Sequence, residues 1–259
     1  MPHPKRFHRY VPVNKRRRDF VFGAASVAGT LLPGLGWAAQ PCPPPRVTLS
    51  GGTSVTTPCA ITTGRRYSTN FNLTENPISE GGVWFNTGQH WTKVRTANGL
   101  AFGTNGVRNT YDDSYAYLSG FAPNQQGEAV VFVSPTLVGD PHEIELLLRW
   151  ADSAQIARGY ECLFNHLGGV QIVRWNGPFG NFTVLSGRGR RSLGRRLVTG
   201  DVLKGTMIGN TITAYINGVE MYQATDSMWT AGQPGIGFFK RTAGLNTDLA
   251  ITSYTATSL

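Results

Sequence analysis

Two turns that contain Asn and Gly, set between short alternating segments, constrain the fold of this chain most. Val202–Ile208 is followed by Gly209-Asn210, Thr211–Ile216 is followed by Asn217-Gly218, and Val219–Tyr222 comes next. Asn-Gly between alternating strands is a strong hairpin signal, because a type I′ turn needs positive φ at both central residues. The sequence therefore predicts three consecutive antiparallel strands.

Similar segments recur from Tyr67 to the last residue. Short runs rich in Val, Ile, Tyr, Phe, Trp and Thr alternate with Gly, Asn, Asp and Pro, and helical periodicity is almost absent. This spacing is typical of an all-β sandwich or barrel. We predict an all-β, two-sheet antiparallel β-sandwich over residues 67–259. The clearest further strands are Glu128–Ser134, His142–Trp150, Tyr160–Asn165, Gly169–Trp175 and Asn181–Ser186.

Several short motifs resemble the concanavalin A-like lectin and glucanase superfamily, particularly its laminin G-like bacterial members. The motifs are Phe71-Asn72, Gly82-Val83-Trp84, Gly159-Tyr160, Gly200 to Leu203, Gly209 to Gly218 and Ala231 to Gly237. The resemblance covers about residues 69–259. It implies a jelly roll of two antiparallel sheets, one of them curved, whose concave face binds sugars in many members. A fold does not carry an activity by itself.

Residues 1–39 have the pattern of a secretory signal peptide. Lys15–Arg18 precede an apolar stretch that begins at Phe20, and Gly36-Trp37-Ala38 provides a small-residue exit. The run Arg16–Val21 resembles a twin-arginine signal, which implies that the twin-arginine machinery exports the folded protein to the bacterial periplasm or beyond. A single-pass anchor, which the glycines and proline of the stretch disfavour, and a nucleic-acid-binding arm are the alternatives. We expect no membrane span in the mature chain.

Removing this segment changes the electrostatic picture. The full chain has 24 basic and 15 acidic residues, a formal net charge of +9. Residues 1–39 hold seven of the basic residues and one acidic residue, so the mature chain keeps 17 basic and 14 acidic residues, or +3. Such a small excess does not predict a nucleic-acid partner.

The cysteines do not indicate a thiol or zinc enzyme. Residues 40–66 form a Pro/Thr/Ser-rich lead-in in which Cys42 and Cys59 could close a disulfide in an oxidising compartment. Cys162 stands alone in a strand-like run, where a buried, inert thiol is expected. Neither CxxC nor HExxH occurs. We therefore predict no cofactor, apart from a structural calcium ion considered below.

The segment His142–Trp150 carries the main candidate residues, because a period of two separates its faces. The inward face is predicted to hold His142, Ile144, Leu146, Leu148 and Trp150. The outward face is predicted to hold Glu143, Glu145, Leu147 and Arg149. Two carboxylates about 7 Å apart on one strand face could act as glycosidase acid and nucleophile.

Comparison with the superfamily weakens this catalytic interpretation. Its β-glucanases carry E-x-D-x-x-E or E-x-D-x-E on such a strand, whereas Leu147 stands at the next position on this face. A missing acid removes the proton donor that hydrolysis needs. A solvated strand face with a Glu–Arg pair is the simpler interpretation.

The predicted ligand-binding set is Glu143, Glu145, Arg149, Arg174, Trp175 and Trp229. Of the tryptophans, Trp175 and Trp229 are expected to be exposed and to stack on sugar rings. A polysaccharide lyase could use Arg to neutralise a uronate and His or Tyr to remove a proton, and His142, Arg149, Tyr160 and Arg174 are residues of these types. The characteristic runs of jelly-roll alginate lyases are nevertheless absent.

A glycine-rich segment concentrates positive charge without an acid. Its arginines are Arg188, Arg190, Arg191, Arg195 and Arg196. Guanidinium groups bind carboxylate, sulfate and phosphate in a bidentate way, so the predicted loop could hold an anionic glycan or envelope polymer. A solvated hairpin tip is the alternative.

The resemblance also implies a structural calcium ion in many members, for which Asn70 and Asp248 are candidate ligands here.

The sequence therefore predicts an exported β-sandwich protein that binds carbohydrate or an anionic glycopolymer without catalysis. A glycoside hydrolase or polysaccharide lyase, with Glu143 and Glu145 on the concave face, is the enzymatic alternative. A structural envelope protein without a sugar site is the third.

Overall fold

The computed structural model describes most of the predicted sandwich. The described ranges are 64–87, 91–106, 113–137, 142–154, 156–178, 180–186, 191–240 and 244–259, all in one compact unit. The predicted signal peptide, most of the lead-in with Cys42 and Cys59, and the arginines at 188 and 190 lie outside these ranges. The predictions made for those residues stay predictions.

The regular structure of the described residues consists of β-strands and one 3₁₀ helix at Asn246–Asp248. The strands are β1 Arg66–Thr69, β2 Thr92–Lys93, β3 Arg95–Ala97, β4 Leu100–Phe102, β5 Ser114–Tyr117, β6 Gln125–Val133, β7 His142–Ser153, β8 Ile156–Asn165, β9 Gly169–Pro178, β10 Phe182–Val184, β11 Arg191–Ser192, β12 Val202–Ile208, β13 Thr211–Ile216, β14 Val219–Thr225, β15 Gln233–Lys240 and β16 Leu249–Ser258. Among these residues, no helix is both long and apolar enough to cross a membrane.

The strands form two sheets that pack face to face. Sheet A has the order β14-β13-β12-β6-β16-β4-β3, with β1 also paired to β16. Sheet B has the order β10-β9-β8-β7-β15-β5-β2, with β11 also paired to β9. Neighbouring strands are antiparallel apart from the short parallel pair β2–β5. The predicted fold class, an all-β, two-sheet antiparallel β-sandwich of the jelly-roll type, is confirmed.

The predicted run of three antiparallel strands is β12-β13-β14. Ile208 pairs with Thr211 across the first turn, and Ile216 pairs with Val219 across the second. Asn217 has φ 52° and the following glycine has φ 77°, as a type I′ turn requires. The Asn-Gly signal therefore located this hairpin correctly.

The main core lies between the sheets and is formed by alternate residues of the long strands. Ile144, Leu146 and Leu148 of β7 all have exposed fractions of 0% and face this core. Cys162 of β8 is also fully buried there as a free thiol, and burial raises its pKa well above the ordinary value. The expected buried thiol is confirmed.

A β-bulge at Arg149 reverses the predicted faces at the end of β7. The register with β8 shifts between Leu148 and Ala151, and Arg149 has φ 46°. An extra residue in one strand changes which side the following residues face. The prediction that Arg149 shares a face with the glutamates, and that Trp150 faces the main core, is therefore wrong: Trp150 packs in a separate cluster on the other side of sheet B.

The Arg149 side chain ties together three loops instead of facing a ligand. Its guanidinium donates hydrogen bonds to the carbonyls of Pro123 at 2.9 Å, Trp229 at 3.0 Å and Gly209 at 2.7 Å. Gly232, with φ 143°, makes the bulge possible, because a Cβ there would lie 2.1 Å from the Arg149 carbonyl oxygen. Arg149 is thus a structural residue.

Candidate ligand-binding face

Sheet B carries a second layer of buried side chains on the face that points away from sheet A, which we call the outer face. Three glutamates lie there: Glu143 and Glu145 on β7, and Glu161 on β8. Their exposed fractions are 6%, 2% and 0%. The prediction that Glu143 and Glu145 lie on a solvated strand face is therefore wrong.

The register between β7 and β8 brings Glu161 close to the predicted pair. Glu145 lies opposite Leu163, and Glu161 lies opposite Leu147. Glu145 and Glu161 are therefore diagonal neighbours, about 7–8 Å apart. The sequence pattern of β7 alone did not reveal this third carboxylate, because it comes from the next strand.

Four buried aromatic side chains pack beside the glutamates. They are Trp91, Tyr115, Trp150 and Trp175, and each is at most 4% exposed. Their ring centroids are 4.7 Å apart for Trp91–Trp175 and 5.4 Å apart for Tyr115–Trp150. The predicted exposure of Trp175 is wrong, because Trp91 and the Phe182 ring, at 5.2 Å, cover it.

Hydrogen bonds connect this aromatic layer to the carboxylates. Trp175 donates its indole Nε1–H to Glu161 Oε2 at 2.6 Å. Asp152, which follows the bulge on β7, accepts hydrogen bonds from the hydroxyls of Tyr115 at 2.5 Å and Tyr117 at 2.7 Å. Asp152 also accepts hydrogen bonds from the backbone N–H and the side-chain hydroxyl of Thr87. The outer face is thus a connected polar and aromatic layer.

Two glycines on β15 leave room in this layer. Gly237 lies opposite Glu145 on one side and opposite Tyr115 on the other. A Cβ at Gly237 would lie 2.6 Å from Glu145 Oε2, so the carboxylate of Glu145 extends over β15. Gly235 occupies the corresponding position one step along the strand, opposite Leu147.

The rim of the outer face is half-buried and carries groups suited to sugar contact. The Phe85 and Tyr117 rings lie 6.0 Å apart. Lys93 donates from Nζ to the Asn86 carbonyl at 3.1 Å and to its side-chain oxygen at 2.8 Å. Burial lowers the pKa of Lys93, and the Asp152 carboxylate partly opposes that shift.

Arg174 and Trp229, two more predicted ligand residues, lie together but away from the glutamates. Arg174 forms an ion pair with Asp226 at 2.5 Å. Asp226 also accepts a hydrogen bond from the Tyr160 hydroxyl at 2.8 Å, and that hydroxyl in turn accepts one from the Trp229 N–H at 2.9 Å. Trp229 is half-buried, with the Arg158 guanidinium 5.3 Å from its ring centroid.

The structure does not assemble the predicted lyase residues. Arg149 binds backbone carbonyls, and burial raises the pKa of Tyr160 to about 12. His142 begins β7, seven residues before Arg149, or about 23 Å along an extended strand, and is 2% exposed. The four residues therefore do not form one site, although Tyr160 and Arg174 lie opposite each other and both contact Asp226.

The described part of the arginine segment is held against the sandwich. Arg191 belongs to β11. Arg195 forms a bidentate pair with Asp201, at 2.7 Å for both bonds, and this bond is the largest cause that lowers the pKa of Asp201 to about 2. Arg196 places Nη1 3.3 Å from Nε2 of His166. Arg195 is therefore already engaged, whereas Arg196 is exposed.

The strand register separates Asn70 from Asp248, the two residues predicted as calcium ligands. Thr69, next to Asn70, pairs with Tyr254, six residues or roughly 20 Å along the chain from Asp248. Asp248 accepts a hydrogen bond from the Leu245 N–H at 2.7 Å. Within the described ranges, no group of three or more His, Cys, Asp or Glu side chains is arranged to hold a metal.

Comparison with known proteins gives only distant structural similarity. No family model matches the chain, and no curated protein matches it. The fold is similar to a carbohydrate-binding module from Bacillus subtilis, at 14% identity and TM-score 0.47, covering 70% of this chain and 96% of that one. It is also similar to a β-glucanase from Bacillus licheniformis, at 12% identity and TM-score 0.48, covering 76% and 100%. A galectin from Caenorhabditis elegans matches at 13% identity and TM-score 0.39, covering 55% and 89%. These similarities are too distant to assign a ligand, so the functional argument rests on the residues of this chain.

Proposed function

We propose that this protein binds carbohydrate at the outer face of sheet B and does so without catalysis. The observation that carries the proposal is the layer of acids and aromatic rings on the side of the sheet that faces away from the core, together with its partly exposed rim, where Phe85, Lys93 and Tyr117 can reach a ligand. Aromatic rings stack on the apolar faces of sugars, and carboxylates accept hydrogen bonds from sugar hydroxyls.

The energetics of burial support a functional role for this layer. Burying a carboxylate costs free energy, and ion-rich buried networks are often no more stable than apolar side chains of similar volume. Sheet A shows what a merely solvated face looks like: Glu128, Lys204 and Tyr215 pair across its strands and remain partly exposed. The cost of keeping these acids in sheet B supports the proposal that this layer serves a ligand.

The proposal is tested by screening the folded protein against a glycan array. We expect retention of one class of glycan, and Lys93→Gln on the rim should weaken it by about tenfold or more, because a hydrogen bond to a charged group is worth about 1.5–3 kcal/mol. Lys204→Gln on sheet A removes the same charge elsewhere and should leave binding unchanged. A folded protein that retains no glycan would favour the structural envelope role instead.

A glycoside hydrolase is a second candidate, because Glu161 lies opposite Leu147, where the sequence pattern lacked an acid. Release of reducing sugar ends from the retained glycan, abolished by Glu143→Gln or Glu161→Gln with binding preserved, would establish hydrolysis. Unchanged glycan after prolonged incubation would leave the non-catalytic proposal standing.

We further propose that residues 1–39 direct export by the twin-arginine route. The Arg16–Val21 run and the small-residue exit near Ala38 support this. Replacing Arg16 and Arg17 together by lysine should keep the protein in the cytoplasm, whereas wild-type protein should be recovered outside it with a new N-terminus near Gln40. Export of the double variant at the wild-type level would contradict the proposal.

A further inference from the structure

The turn between β8 and β9 carries a histidine whose two ring nitrogens face different groups. His166 Nδ1 accepts a hydrogen bond from the His142 backbone N–H at 3.0 Å. Nε2 lies 3.3 Å from Arg196 Nη1. The backbone of His166 is held as well, because its N–H donates to the His142 carbonyl and its carbonyl accepts from Leu197, each at 2.9 Å. The ring is therefore fixed in orientation.

These contacts determine where the His166 ring carries its proton. A backbone N–H can only donate, so Nδ1 must be the unprotonated nitrogen. Burial, with smaller contributions from His142 and Arg196, lowers the pKa of His166 to about 4, so the ring is neutral at pH 7. A neutral imidazole whose Nδ1 carries no hydrogen has its hydrogen on Nε2.

Two hydrogen-bond donors therefore face each other. Nε2–H of His166 can only donate, and a guanidinium has donors but no acceptor. Among the described residues, neither of these two groups has an acceptor within hydrogen-bond distance. Placing an acceptor between or beside them would satisfy both, and an anionic acceptor would also balance the Arg196 charge.

We propose that His166 and Arg196 form a binding site for an oxyanion, namely a sulfate, phosphate or carboxylate group. One oxygen would accept from Nε2–H of His166, and the exposed Arg196 would close over the anion. Arg195 does not take part, because its guanidinium is bound to Asp201. The site uses one arginine of the predicted anion-binding loop and adds a histidine that the sequence pattern did not single out.

The surrounding charges are mixed. Arg195 and Arg196 lie on the loop side, and His142 lies beside the ring at 5.8 Å between centroids. Lys240 lies opposite His142 in the β7–β15 register, and the Asp248 carboxylate and the His142 ring both lie beside Gly244. A bound anion would therefore meet more positive than negative groups, and it should raise the pKa of His166.

The site can be tested with the full mature protein by NMR of its histidine side chains. Sulfate, phosphate and acetate are titrated separately at constant ionic strength against chloride. Long-range couplings in the imidazole ring should show hydrogen on Nε2, and at least one anion should shift the His166 signals in a saturable way. Tighter binding of dextran sulfate than of free sulfate would assign the site to a polymer-borne group, and equal affinity would assign it to the free ion.

Arg196→Gln should weaken binding by about tenfold or more, and Arg196→Lys should restore part of it. Arg66→Gln, an exposed arginine on β1 of the other sheet, removes the same charge and should leave binding unchanged. Two results would overturn the proposal: hydrogen on Nδ1, which would make Arg196 a simple donor to Nε2, or no saturable shift with any anion up to about 0.15 M ionic strength. Because the deciding titrations use inorganic ions and acetate, failure here would leave the glycan proposal untouched, and the reverse also holds.

Discussion

Replacing Trp175 by Phe tests whether the hydrogen bond from its indole to the buried Glu161 carboxylate stabilises the fold. The indole Nε1–H donates to Glu161 at 2.6 Å, and both side chains are fully buried. Losing a donor to a buried charged acceptor costs 1.5–3 kcal/mol, and the smaller ring leaves a void that adds to it. We therefore expect Trp175→Phe to lower the free energy of unfolding by about 3 kcal/mol, measured by urea denaturation and far-ultraviolet circular dichroism.

Two further variants separate the charge from the loss of volume. Trp229→Phe is the matched control, because its indole donates to a neutral backbone carbonyl at 2.8 Å in a half-buried position, and it should cost about 1 kcal/mol. Glu161→Gln keeps an acceptor for the indole but removes the charge. In that background, Trp175→Phe should cost about 1–2 kcal/mol less than in wild type. Equal costs in both backgrounds, or a cost for Trp175→Phe that matches the control, would refute the reasoning.

Three other outcomes follow from groups outside this layer. The pKa of His166 is about 4 in the folded protein and near 6.5 in the unfolded chain, so the unfolded chain takes up a proton first as the pH falls. The free energy of unfolding should therefore be highest above pH 6.5 and should fall by about 3 kcal/mol as the pH drops towards 4. Urea titrations at several pH values check this, and His166→Gln should flatten the profile. Arg149→Ala leaves three carbonyls without their donor and should lower the free energy of unfolding by about 3 kcal/mol or more, whereas a smaller loss in calorimetry would mean that water replaces the guanidinium. Cys162 should resist alkylation by iodoacetamide in the native protein and react only after unfolding, as followed by mass spectrometry of its peptide.

Local pattern was enough to predict the parts of the fold that depend on local geometry. Alternation identified the long strands and the inward face of β7 up to Leu148, and the Asn217-Gly218 pair located a hairpin whose positive φ angles the structure shows. These features can be predicted because the side-chain direction in a strand and the sign of the φ angles in a tight turn are determined within a few residues.

The errors came from contacts that join distant segments. A period of two assumes an unbroken strand, and the bulge at Arg149 breaks it where Gly159 and Gly232 allow the backbone to approach. Trp175 stands beside polar residues and a turn in the sequence, yet Trp91, 84 residues earlier, covers it. Neither the bulge nor the burial of Trp175 can be predicted from the sequence of one strand, although a glycine opposite the end of a strand is a sign of a bulge.

The register between β7 and β8 also bears on the catalytic alternative. A motif such as E-x-D-x-x-E reads carboxylates along one strand, whereas a substrate on a sheet contacts several strands at once. Leu147 breaks that motif on β7, but the residue directly opposite it on β8 is Glu161. Cross-strand partners are about as close as the spacing between alternate residues on one strand, so a carboxylate supplied from β8 can stand near the position that the motif assigns to β7. The break at Leu147 therefore argues against hydrolysis more weakly than the sequence suggests. What argues against it more strongly is the hydrogen bond from Trp175 and the complete burial of Glu161, because a proton donor must reach the glycosidic oxygen.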